Sequence, residues 1–157
     1  MKLLLIVAIM SVIMLIAVAV SEQYKDRADF YRHLKLFLTQ FKINISFKQD
    51  KVTDFLSTIK CKKQFKVFVD DYINYLSTGE LSLDNIKILD DLDKADLTDM
   101  IISLGRHDVT SELGQVESYI ARVDVWLAKA QEDKVKLCPM IIKLSLLFSI
   151  GLAILLL

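Results

Sequence analysis

Proline occurs once and glycine four times in 157 residues. So few turn formers exclude a many-turned β fold and leave helices as the main element. Two cysteines, Cys61 and Cys138, are too few for a disulfide framework and read as free thiols of a reducing compartment. Formal charge is zero, with 20 basic and 20 acidic residues, so no global field points to nucleic acid. There is no HExxH, no paired CxxC and no lysine-bearing phosphate loop, and Gly105 and Gly114 do not make one. Internal repeats and low-complexity tracts are also lacking.

Apolar residues, by contrast, are abundant: they make up 54% of the chain and concentrate at its two ends. Leu3 to Val20 is interrupted only by Ser11. Its eighteen residues span ~27 Å as a helix, close to a hydrocarbon core of ~30 Å. A cleaved secretory signal is the rival reading, because Lys2 precedes the run and Ala17-Val18-Ala19 resembles a cleavage site. The run is longer than the ~7–15 residues of a signal's apolar region, and the helical pattern continues beyond it. A retained transmembrane helix over 1–20 is therefore expected. The second apolar end, 137–157, contains Lys143. A mid-bilayer lysine costs roughly 2.5–3.5 kcal/mol, whereas each large apolar residue after it contributes about −0.3 to −0.6 kcal/mol. Insertion wins, with Lys143 snorkelling from near the helix start and Pro139 at the entry, where a kink costs least. Lys25, Arg27, Arg32 and Lys35 follow the first anchor, and Lys129, Lys134 and Lys136 precede the second, while only Lys2 lies outside. Basic flanks stay in the cytoplasm, so a two-pass cell-membrane protein with a cytoplasmic domain over 21–136 is expected.

Within that domain the apolar residues recur by threes and fours. Tyr24, Tyr31, Leu34, Leu38, Phe41 and Ile45 form one seam, with Arg27 in its polar slot near the membrane surface. Positions 109, 113, 116, 120, 123, 127 and 130 form another, which runs into the second anchor. Between them Val52, Phe55, Leu56 and Ile59 make a short face that Asp50 could cap. Phe65, Phe68, Tyr72, Ile73 and Leu76 make the next, ended by Gly79. Ser82 precedes Leu83, Ile86, Ile88 and Leu89, and Asp93 precedes Leu97, Met100, Ile101 and Leu104. The expected fold is an all-α, six-helix cytoplasmic bundle whose two long antiparallel helices continue into the anchors. Facing residue numbers on the long helices should sum to about 155.

Catalytic chemistry finds little support. His33 and His107 have no ligand or nucleophile at a useful spacing. The run Asp90, Asp91, Asp93, Asp96 and Asp99 lacks the glycine and terminal glutamate of a calcium loop, and reads as solvated helix ends. Leu104-Gly105-Arg106-His107-Asp108 is a helix stop followed at once by a start. Gly105 should adopt φ > 0 and Asp108 should cap the next helix. No catalytic, cofactor or metal site is expected, and the chain reads as a non-enzyme.

Tyr24 and Arg27 after the first anchor, the Asn44-Ile45-Ser46-Phe47 stretch, and Leu104, Gly105 and Asp108 before a long anchored helix together resemble the stage III sporulation protein AB family. The chain departs from that pattern at Asn44 and Phe47, at Lys51 where a proline is usual, and at Glu112 where a glutamine is usual. The resemblance covers the whole length. It implies a domain similar to the platform protein of type II secretion and type IV pilus machines. It also implies a place in the mother cell–forespore channel complex, in the mother-cell membrane around the forespore. The partners it implies are a cytoplasmic ATPase and other membrane proteins of that complex, with homo-oligomerisation an open alternative. Tyr24, Arg27, Leu104, Gly105 and Asp108 become the candidate structural or interaction residues. Two other classes compete: a secreted or surface protein with a cleaved signal and a C-terminal anchor, and a holin-like pore. The mature N-terminus separates the first from a platform. Only Ser11, Ser145 and Ser149 could line a pore.

Overall fold

The computed structural model describes residues 2–47, 63–106 and 108–156. Four helices are present among them: α1 (Lys2–Phe47), α2 (Lys63–Thr78), α3 (Asp91–Ser103) and α4 (Val109–Leu156). The all-α class holds, but the six-helix count does not. The helix expected over Val52–Ile59 lies outside the described residues. The one expected after Ser82 is replaced by consecutive turns. Leu83, Ile86 and Leu89 are buried at a spacing of three, and Ile86 N–H reaches Leu83 C=O at 3.1 Å. The segment between Gly79 and Asp90 is too short to offset the cost of helix nucleation, so burial of three anchors dictates its path. Ser82 donates to the Asp84 carboxylate rather than capping a helix.

Two compact units divide the chain: unit 1 comprises Met1–Ala28 and Lys129–Leu157, and unit 2 comprises Asp29–Ala128. In unit 2 the core is built from rings. Phe30, Tyr31, Phe37, Phe65 and Phe68 are all at most 2% exposed. Phe30 meets Phe65 and Phe68 edge-on at 5.7 and 5.9 Å, and Phe37 meets Phe68 and Tyr72 at 6.1 and 6.0 Å. Such T-shaped pairs set the positive ring edge on the negative face, adding about 0.5–1.5 kcal/mol each beyond area burial. Phe30, Phe37 and Val69 widen the expected seams, whereas Ile73 and Leu76 turn outward. On α4, Val116 and Val123 are fully buried, Val109 is exposed, and Glu112 goes inside in its place. From α3, Leu97, Met100 and Ile101 complete the core.

The long helices run antiparallel within unit 2. Lys35 pairs with Asp124 at 2.6 Å, Lys42 with Glu117 at 2.5 Å, and Tyr31 stacks obliquely on Trp126 at 5.7 Å. The paired numbers sum to 157–159, above the expected 155 by no more than about one helical turn. The ion pairs are half-exposed, so they set register more than they stabilise.

Unit 1 is a different structure. Ala17, Ser21 and Ala28 of α1 and Ala130, Cys138 and Ser149 of α4 are buried, with Ile6 the one large side chain among them. Cys138 Sγ donates to Ser21 C=O at 3.4 Å. Leu15, Leu147 and Phe148 are 69%, 65% and 64% exposed, and α1 and α4 are long and apolar enough to cross a membrane. In their most apolar stretches only 17% and 11% of residues are buried, unlike the core helix of a water-soluble fold. Pro139 sits inside α4, which continues through it.

Candidate functional site

The junction between α3 and α4 is where the sequence and the geometry converge. Helix α3 is followed by its C-cap Leu104, which is buried and extended (φ −62, ψ 132), its N–H directed to Ile101 C=O. Gly105 then takes φ +79. No heavy atom lies within 4 Å of where a Cβ would stand there, so glycine is required by the backbone and not by space. At Asp108 the chain turns into α4. The Asp108 carboxylate accepts the Ser111 N–H at 3.3 Å, and its C=O accepts the Glu112 N–H at 2.8 Å. Hydrogen bonds from Ser111 hold the Asp108 carboxyl below its ordinary pKa, as befits an N-cap. Both expected roles, Gly105 with φ > 0 and Asp108 as cap, hold.

Glu112 closes the junction, and the seam pattern gave no hint of it. Its carboxylate is 2% exposed and accepts the Gly105 N–H at 2.7 Å. One side chain on the second turn of α4 thus satisfies the backbone donor that the glycine turn exposes. A signal was present: the resemblance noted in the sequence implies a glutamine at this position, and both residues offer a carbonyl-type oxygen of the same reach. Glu112 also helps push the Tyr72 hydroxyl up to about 12, behind burial and Tyr75. Around it runs a polar chain. Gln115 Nε2 donates to Tyr119, whose hydroxyl meets Ser103 Oγ at 2.6 Å, and Ser103 donates to Met100 C=O. Arg106 donates to the Tyr75 hydroxyl at 3.2 Å. These bonds tie α2, α3 and α4 at one point.

Two carboxylates of the acidic run, Asp93 and Asp96, engage other elements. Asp90, not Asp93, is the N-cap residue of α3. Asp93 lies within the first turn and accepts the Tyr31 hydroxyl. A carboxylate there is favoured by the helix dipole whether or not it caps, which is why Asp93 looked like a cap. Asp96 faces Arg122 at 3.9 Å. Tyr24 and Arg27 belong to unit 1, where both are partly buried. His107 lies outside the described residues. Among the described residues, no three His, Cys, Asp or Glu side chains are grouped to hold a metal.

Chemically the junction offers a fixed backbone turn, a buried carboxylate already engaged, and exposed Arg106 and Asp108. It is suited to holding two helices rigidly and presenting a small charged surface. A family model described as stage III sporulation protein AB matches residues 2–157. No curated protein and no solved structure matches the chain.

Proposed function

Because the chain belongs to the stage III sporulation protein AB family, we propose that it is a non-enzymatic, doubly anchored platform of the sporulation channel complex. In this reading 1–20 and 137–157 are the anchors, and the helical unit faces the cytoplasm and engages a secretion-type ATPase. The observation that carries it is that α1 and α4 each supply both a membrane-length apolar stretch and part of the unit 2 core. Each of the two long helices is continuous between its unit 2 residues and its apolar stretch, as suits a domain that takes force or position from a motor. The junction at Gly105 and Asp108 keeps the short helices from swinging on α4, as a motor-receiving surface requires. The basic flanks Lys25, Arg27, Arg32, Lys129, Lys134 and Lys136 favour a cytoplasmic domain.

Topology tests the proposal. In a background lacking Cys61 and Cys138, Glu80→Cys should be protected from a membrane-impermeant thiol reagent in intact cells, and a cysteine appended after Leu157 should be labelled. Affinity purification from membranes of sporulating cells should then recover the ATPase. Labelling at position 80 in sealed cells would overturn the orientation, and a mature chain lacking Lys2–Val20 would overturn the double anchor.

A further inference from the structure

On α4, Lys129, Lys136 and Lys143 recur every seven residues, and all three are exposed. Seven residues advance a helix by about 10.5 Å and return it to within about 20° of the same face. The stripe thus runs down one side of α4, from a polar segment into the apolar stretch that begins at Leu137. Lys136 is hydrogen-bonded to Glu132, one turn back. Lys143 has no carboxylate partner among the described residues, and Met140, Ile142, Leu144 and Leu147 around it are exposed. Just beyond it, Ile13 of α1 and Leu144, Ser145, Leu147 and Phe148 of α4 line an open cleft of about 450 Å³.

A lysine among exposed apolar side chains puts its stem on hydrocarbon and its ammonium as near water as the stem allows, about 6 Å from the backbone. The two stems start about 10.5 Å apart on one face, so if Lys136 exchanges its bond to Glu132 for an anion one turn down, both ammoniums reach that anion. The cleft beneath would seat a hydrocarbon chain. Among bilayer components, an acidic phospholipid joins an anion to hydrocarbon chains. An acidic partner segment would satisfy the lysines and leave the cleft unexplained. We propose that Lys136 and Lys143 bind the phosphate headgroup of an acidic phospholipid, one acyl chain of which lies in the Ile13–Phe148 cleft. The site rests on the membrane-anchored reading above, and its occupant would fix the depth and rotation of α4 in the bilayer.

The test uses the full chain reconstituted in nanodiscs with chain-spin-labelled phosphatidylglycerol or phosphatidylcholine, reading the motionally restricted fraction. One lysine at an anionic surface is worth about a fivefold preference. The native chain should therefore favour phosphatidylglycerol by about fivefold or more. Lys143→Met should cut that preference by about fivefold, Lys143→Arg should keep it, and Lys129→Met, higher on the stripe, should change it less than twofold. Unchanged preference in Lys143→Met overturns the site. Equal association of the native chain with both lipids also overturns it. A chain that restricts neither lipid and stays outside the disc would instead remove the membrane anchoring itself.

Discussion

In unit 2 the most deeply buried large side chains include Tyr31, Phe30, Phe37, Phe65 and Phe68, whereas unit 1 buries mostly small ones, Ala17, Ser21, Ala28, Ala130, Cys138 and Ser149, with Ile6 beside them. The same two long helices supply residues to both. On the membrane-anchored reading proposed above, the contrast follows from the solvent each unit would meet. In water, burying a ring removes a large apolar area and is worth kilocalories, so large side chains go inside. In hydrocarbon, moving a leucine from lipid to a helix interface gains almost nothing. Association there depends on close backbone approach, which small residues permit. Unit 1 accordingly turns Leu15, Leu147 and Phe148 outward and keeps serine and cysteine within. As a water-exposed surface it would be an aggregation hazard; as a lipid-facing one it is ordinary.

If that contrast is right, the two units should break by opposite substitutions. Phe68→Ala empties the centre of the ring cluster and should cost unit 2 about 3–5 kcal/mol. Trp126, the chain's one tryptophan, reports it: the denaturant midpoint read by its fluorescence in detergent should fall steeply. A change under about 1 kcal/mol would mean that the cluster is not the core it looks like. Unit 1 should instead be broken by enlargement. Ala17→Leu adds bulk at a position 3% exposed and should cost about 1–3 kcal/mol, read as a lowered SDS midpoint of helix loss. If Ala17→Leu stabilises the chain, the close-approach account of unit 1 fails. The smallest effects should come from the junction. Glu112→Ala strands the Gly105 N–H and should cost about 1–3 kcal/mol, nearer the lower end because water can reach a part-buried donor. Glu112→Gln keeps an acceptor of the same reach and should restore most of that loss. Asp108→Asn, which keeps the capping oxygen, should leave the Trp126 transition almost unmoved. Loss of ATPase capture in a stably expressed Asp108→Asn chain would then mark the junction as a docking surface as well as a joint.

Much of this molecule was legible because its strongest signals are local. Apolar runs of membrane length, threes and fours of apolar residues, and glycine followed by a capping aspartate act over a few residues, and α1, α2, α3 and α4 appeared where those signals stood. The failures share one cause. Leu83, Ile86 and Leu89 fit a helical face nearly as well as they fit a string of turns, and only what they bury against separates the two. Asp90 and Asp93 are both good first-turn carboxylates, and the Tyr31 hydroxyl, 62 residues away in sequence, settles where Asp93 points. Phe30 and Phe37 fall outside the seam because the seam is a single stripe, while α1 in unit 2 presents a broader face.

By itself, the sequence determined the all-α class, the two apolar helices, the positive φ at Gly105 and the cap at Asp108. Each of these is set by backbone sterics or by hydropathy along one stretch of chain. Tertiary structure alone decided that Glu112 goes inside. A carboxylate belongs in water until a stranded backbone donor such as the Gly105 N–H is brought within 2.7 Å of it. It likewise decided that rings fill one unit and small side chains the other, because that choice depends on what each helix face meets.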